Sequence, residues 1–271
     1  MIVSVGPRLT VMLLRPYRAK AACCGHTEPY NPDSQQSRTG EQTMGRMTTI
    51  QGKDGSFGAY VADGKTRGGP AIVVIQEIFG VNKVMRDIAD DLAKAGYAAV
   101  CPDLFWRIEP GIDITDQTDA EWEKAFTCFK AFNVDKGIED IASTIAWTRA
   151  QGHSNVGAVG YCLGGLLAYL TNTRTDADAS VSYYGVGIDN YLGEAGRARK
   201  PALLHIAEED GFVSKDSQAR MKAGLTAPSF QLYAYPGRDH AFAREGGKHF
   251  HQDDALKANQ RTMDVFARHL S

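Results

Sequence analysis

A cysteine stands in the stretch Gly160-Tyr161-Cys162-Leu163-Gly164-Gly165, directly after the apolar run NVGAV at 155–159. With serine at position 162 this would be the Gly-x-Ser-x-Gly turn on which hydrolases raise a nucleophile between a strand and a helix. Such a turn strains the backbone at the nucleophile. It needs small neighbours, which Gly160 and Gly164 supply. The turn sets Cys162 at the carboxyl end of a sheet, where open α/β sheets bind ligands. It also sets the sulfur at a helix N-terminus, where partial positive charge favours thiolate over thiol. The backbone N–H of Leu163 points to the same spot and is a candidate oxyanion donor.

A thiol nucleophile needs a base, and the base needs an acid to orient it. In folds that use this turn the chain order is nucleophile, acid, histidine, each after a strand. The run PALLHIA is followed by Glu208, Glu209 and Asp210, and QLYAY is followed by PGRDHAF with His240. A carboxylate from the first group and His240 are therefore expected at the sheet end that carries Cys162. Glu77 closes another apolar run in IQEIFG. A carboxylate there is costly unless paired or protonated. It reads either as a cap for the next helix or as an acceptor for the Cys162 thiol, keeping the sulfur protonated at rest. The N–H of Ile78 then becomes the second oxyanion donor. His249 and His251 form a His-x-His without a further ligand at metal spacing, and His205 falls inside a strand as core. Neither Gly-x-x-x-x-Gly-Lys nor Gly-x-Gly-x-x-Gly occurs, so neither a metal nor a nucleotide cofactor is expected.

The elements that must hold these residues follow from hydrophobic periodicity. Residues 71–76 (AIVVIQ) are apolar and β-branched, as in a strand buried on both faces. Residues 81–96 read as a helix with Val84, Ile88 and Leu92 on one side, ended at Ala95 and Gly96. Further strands are read at 97–103, 155–161, 180–185, 201–207 and 229–235. Helices are read after Asn133, with a stripe of Val134, Ile138, Ile141, Ile145 and Thr148, and at 163–172, 214–224 and 255–270. Alternation of this kind implies crossover units and a mainly parallel sheet with helices on both faces. The Pro- and Gly-containing segment 107–119 is long for a connection, as lids and substrate loops are.

Composition narrows the function class. The chain has 271 residues, 43% hydrophobic and 23% charged, as for one large globular domain. A formal net charge of −2 lacks the basic excess of a nucleic-acid or membrane-surface binder. No apolar run approaches the length of a membrane span. Five cysteines, scattered apart from the adjacent Cys23 and Cys24 and without a Cys-x-x-Cys pair, fit a reducing cytoplasm rather than a disulfide framework. Residues 1–46 differ from the rest. Their first part is basic and free of acids until Glu28, and the remainder is polar. A flexible extension, or a working chain that starts near Met44 or Met47, is preferred to a mitochondrial presequence. The folded domain is expected over 47–271.

The segments QEIFGVNKVMRDIADDLAKAGYAAVCPDLF, VGYCLGG, YYGVG and HAFAR together resemble the dienelactone hydrolase (carboxymethylenebutenolidase) family from about Ser56 to the C-terminus. The resemblance implies an α/β-hydrolase fold without a large cap domain, hydrolysis of enol-lactones and no cofactor. It implies Cys162 as nucleophile, Asp210 and His240 as the rest of a triad, and Glu77 as a carboxylate that turns toward and away from the thiol. Family members hold a substrate carboxylate with two arginines. HAFAR keeps one, Arg244. Trp122 stands where the other belongs, and Phe126 replaces a tyrosine on the same helix. The missing contact is worth roughly 1.5–3 kcal/mol, and Arg107 is a candidate substitute. Tyr184 is expected to line the same pocket. The expected partner is thus a small lactone or ester, with a more apolar one as the alternative to dienelactone, bound by a monomer or small homo-oligomer. Two competing readings are weaker. A glutamine amidotransferase would place His-x-Glu near its end, whereas Ala241 and Phe242 follow His240. A redox-sensing or binding protein would not need every triad member.

Overall fold

The computed structural model describes residues 45–271, so the reading of the N-terminal extension lies outside the described residues up to position 44. The strands are β1 (Arg46–Gln51), β2 (Ser56–Ala62), β3 (Ala71–Ile75), β4 (Ala98–Pro102), β5 (Val156–Tyr161), β6 (Ala179–Tyr183), β7 (Ala202–Ala207) and β8 (Phe230–Tyr235). They form one 8-stranded sheet in the order β1-β2-β4-β3-β5-β6-β7-β8. The β1–β2 and β2–β4 pairs are antiparallel and all other neighbours are parallel. The helices are α1 (Lys83–Ala95), α2 (Asp119–Ala131), α3 (Val134–Ala150), α4 (Leu163–Arg174), α5 (Lys215–Gly224) and α6 (Gln252–His269). This is the α/β-hydrolase architecture expected, and no separate cap domain occurs among the described residues.

Side chains of a strand alternate between faces, and β3 shows how that alternation builds two cores. Val73 and Ile75 join a cluster with Ile138, Ile141 and Ile145 of α3 and Leu167 and Leu170 of α4. Ile72 and Val74 join the opposite cluster with Met85, Ala89 and Leu92 of α1 and Val265 and Phe266 of α6. Burial on both sides accounts for the unbroken apolar reading of the strand.

Two readings need adjustment. Helix α1 buries Met85, Ala89 and Leu92, while Val84 and Ile88 are only half-buried. The steps of four and three through Met85 make as good a stripe as those through Val84, and small Ala89 can approach the sheet closely. The β1–β2 pair was not read, because β1 exposes most of its residues and buries only Ile50. The long segment before α2 is fastened at several points. Asp103 accepts from the Gly111 N–H at 2.7 Å. Asn82, which also caps α1, donates to the Ile114 carbonyl at 2.9 Å. A single bridge joins Gly80 to Asp113.

Candidate active site

The turn at Cys162 has the geometry its sequence requires. Cys162 has φ 57° and ψ −116° and immediately precedes α4. A Cβ on Gly160 would fall 1.9 Å from the Gly164 carbonyl oxygen, and one on Gly164 would fall 2.3 Å from that of Ile75. No side chain fits at either place, so the tight packing of turn against sheet depends on both glycines. The Cys162 N–H donates to the Tyr183 carbonyl at 3.1 Å, tying the elbow to β6. The N–H groups of Leu163 and Ile78 have no hydrogen-bond partner among the described residues. They remain available to a ligand oxygen.

His240 and Asp210 meet across the loops that follow β8 and β7. The imidazole Nδ1 lies 2.9 Å from Oδ2 and 3.1 Å from Oδ1 of Asp210. Asp210 Oδ1 also accepts from the Phe212 N–H at 2.8 Å. Cys162 and the imidazole line the same cleft, and Cys162 is close enough to act on the ring's charge. Burial alone would lower the imidazole pKa. Electrostatic interaction with Cys162 and the hydrogen bond to Asp210 outweigh it and raise the pKa from 6.5 to about 10. Glu208 and Glu209, the other candidate acids, stay away from the imidazole. Lys222 pairs with Glu208 at 3.7 Å and Lys215 with Glu209 at 2.8 Å.

Asp239 is a contributor that the sequence did not single out. Its Oδ1 accepts from the His240 N–H at 2.6 Å and from the Gly211 N–H at 3.0 Å. One carboxylate oxygen thus clamps the acid loop to the histidine loop. Of the described non-glycine residues only Cys162, Tyr184 and Ala241 have positive φ, and all three surround this site. Strain of that kind persists where surrounding structure holds it in place.

Glu77 is buried at the end of β3, and its Oε2 accepts from Arg244 Nη1 at 2.9 Å. It makes no hydrogen bond to the Cys162 sulfur here; its Oε2 is engaged by the guanidinium beside it instead. Arg244 Nη2 also donates to Asp116 at 2.6 Å, and its guanidinium lies 5.3 Å from the Phe79 ring. Burial opposes the Arg244 charge, but Glu77 above all, with Asp116, raises its pKa overall. Oε1 of Glu77 and Nε of Arg244 are buried without a partner.

A cleft opens onto Cys162, His240 and Arg244, with Ile78, Phe79, Trp122, Phe126, Phe129, Val186 and Phe212 completing its wall. Trp122 and Phe126 stack at 5.5 Å on α2, and Phe79 meets Trp122 edge-on at 5.1 Å. Tyr184, expected in this lining, lies behind it. The backbone reverses there with φ 38°, which turns the ring inward, edge-on to His240 at 5.1 Å. Burial raises the pKa of its hydroxyl well above the ordinary value, with Glu77 adding to the shift.

Arg107 does not replace the missing second arginine. Its guanidinium is bound to buried Asp140 and to Asp54, and it stacks on Trp106 at 4.3 Å. A buried carboxylate on α3 is the stronger partner. His205 is core, as expected. Its nitrogens meet Tyr235 at 2.8 Å and Thr262 at 3.0 Å, and burial lowers its pKa to about 3. His249 donates to the His240 carbonyl at 3.2 Å, and His251 caps α6. Among the described residues no three His, Cys, Asp or Glu side chains converge as metal ligands, and no helix is long and apolar enough to cross a membrane.

Comparison with known proteins shows which family the chain resembles. Residues 57–270 match the dienelactone hydrolase family. A relative from Azospirillum brasilense is 48% identical over 234 residues, covering 83% of this chain and 100% of its own. Carboxymethylenebutenolidase from Pseudomonas putida is 40% identical over 223 residues, covering 81% of this chain and 94% of its own. A solved structure from Klebsiella pneumoniae superimposes with a TM-score of 0.73 at 24% identity, covering 83% of this chain and 98% of that one.

Proposed function

This chain belongs to the dienelactone hydrolase family, and on that premise we propose that it opens enol-lactones or related esters through a Cys162–His240–Asp210 triad and an acyl-thioester intermediate. It is a carboxylic-ester hydrolase of carboxymethylenebutenolidase type. The observation that carries the triad is the imidazole of His240, held by Asp210 at 2.9 Å and lining one cleft with Cys162.

Chemistry begins when the Cys162 thiol gives its proton to His240, which leaves a thiolate beside an imidazolium. The thiolate attacks the carbonyl carbon, and the oxyanion forms between the Ile78 and Leu163 N–H groups. One such donor is worth on the order of 3 kcal/mol of barrier. The carbonyl C–O bond to the enol oxygen then breaks. The imidazolium gives its proton to the departing enolate, and an acyl-thioester remains on Cys162. Acylation ties up the sulfur as a neutral thioester. The neutral imidazole is now free to act as a base, held by Asp210 in the orientation that serves water. It takes a proton from water, the hydroxide attacks the thioester, and the C–S bond breaks. The acid leaves, and thiolate and imidazolium are restored.

Glu77 has the role of a hydrogen-bond acceptor for the resting Cys162 thiol. Oε1 is an unused buried acceptor, so a rotation toward the thiol would satisfy it at the cost of the Arg244 contact. The experiment that tests the triad is turnover of an enol-lactone and of 4-nitrophenyl acetate by Cys162→Ala and His240→Gln. Both variants should fall by a factor on the order of 10³ or more, with the fold intact by circular dichroism. Undiminished turnover by Cys162→Ala refutes the nucleophile.

A further inference from the structure

The cleft next to Cys162 has one guanidinium and, among the described residues, no ammonium in its lining. That guanidinium is already occupied twice. Glu77 takes Nη1 at 2.9 Å and Asp116 takes Nη2 at 2.6 Å. Asp116 is not a loose surface acid. Its side chain is 12% exposed, and its backbone carbonyl accepts from the Trp122 indole at 3.0 Å. The segment leading to it is fastened by Asn82 and by the Gly80–Asp113 bridge. If Glu77 turns to the thiol, Asp116 still balances the Arg244 charge. A carboxylate on the substrate would bring a third acid to one guanidinium.

The rest of the wall is aromatic. Phe79, Trp122, Phe126 and Phe129 form one side and Phe212 the other, edge-on to His240 at 4.8 Å. Phe129 and Phe212 are 39% and 52% exposed at the mouth of the cleft, where apolar rings can receive an apolar ligand.

We propose that Asp116 is a specificity-determining residue: it holds the place on Arg244 that a substrate carboxylate would need, so the cleft selects uncharged, aromatic or apolar lactones and esters. This rests on the reading of the Cys162 cleft as the catalytic one. It assigns the selection against anions to one side chain on a loop far from the triad in sequence.

The test uses a matched pair of 4-nitrophenyl esters, of succinate (anionic acyl chain) and of monomethyl succinate (its neutral counterpart). The wild-type protein should favour the neutral ester in kcat/KM by at least about tenfold. Asp116→Asn and Asp116→Ser should each raise the anionic-to-neutral ratio about tenfold or more, through KM for the anionic ester. A second arm needs no turnover. Binding of phenylacetamide and phenylacetate to Cys162→Ala protein, followed by tryptophan fluorescence, should favour the amide, and adding Asp116→Asn should narrow the gap. Loss of turnover of both esters with the amide preference intact would count against the catalytic reading and support this one. A wild-type preference for the anionic ester, no amide preference, or a ratio unmoved in both Asp116 variants overturns the proposal.

Discussion

Nδ1 of His240 lies 2.9 Å from Oδ2 of Asp210, two residues that follow neighbouring parallel strands and are 30 positions apart. The contact fixes which nitrogen faces the sulfur. With Nδ1 committed to the carboxylate, the proton that moves in the proposed reaction would be on Nε2.

The raised pKa of His240 sets a pH dependence of stability. The unfolded imidazole releases its proton near 6.5, while the folded one keeps it to about 10. The stabilisation is complete below 6.5 and is lost as pH rises through the folded value. Urea unfolding of wild type and His240→Gln should therefore show a stability difference that narrows from pH 6.5 to 10. A difference that widens over this window would contradict the assigned charge pair.

Asp239 acts as a positioning residue, because one of its oxygens holds both the Gly211 and His240 N–H groups. Asp239→Ala leaves two backbone donors without their partner, a loss of about 1–3 kcal/mol in chemical denaturation. The kcat for 4-nitrophenyl acetate should fall on the order of tenfold or more, while Asp239→Asn, which keeps an acceptor oxygen, should recover much of it. A purely structural role would lower stability without this split between the two variants.

Removing the charge at Glu77 breaks a buried ion pair. Such breaks cost about 3–5 kcal/mol when the remaining charge is uncompensated. Arg244 keeps Asp116, so Glu77→Gln should lose no more than about 3 kcal/mol. The double variant Glu77→Gln/Asp116→Asn should lose more than the sum of the two single changes, because only then is the guanidinium left without a carboxylate. Additive losses in urea unfolding would show that the two acids do not share Arg244.

The elbow glycines answer to sterics alone. Gly160→Ala puts a methyl 1.9 Å from the Gly164 carbonyl oxygen. The backbone has to shift, which should cost about 3 kcal/mol or more and displace Cys162. Near-native stability and activity in this variant would contradict the packing described.

What was legible in the sequence was what a local rule dictates. Gly160 and Gly164 announce the elbow because no other residue fits, and β3 announces itself because burial on both faces demands an apolar run. Chain order led to His240 and to the three-acid cluster, although choosing Asp210 over Glu208 and Glu209 needed the family resemblance or the fold. Contacts made at long range left no such mark. Asp116 and Arg244 are 128 residues apart, and nothing around Asp116 tells of its partner. Tyr184 illustrates a different limit. Its placement depends on a backbone reversal with φ 38°, which an adjacent pair of tyrosines does not signal. Helix α1 shows two equally good stripes, and only packing against the sheet chooses Met85 over Val84.

The most direct measurement of the central claim is peptide mapping by mass spectrometry after the enzyme is mixed with 4-nitrophenyl acetate and quenched in acid within the first turnover. An acetyl group on the peptide that carries Cys162, lost on treatment with hydroxylamine at neutral pH and absent from Cys162→Ala, is the expected result. Acetylation at another residue while Cys162→Ala still turns over the ester would contradict the account.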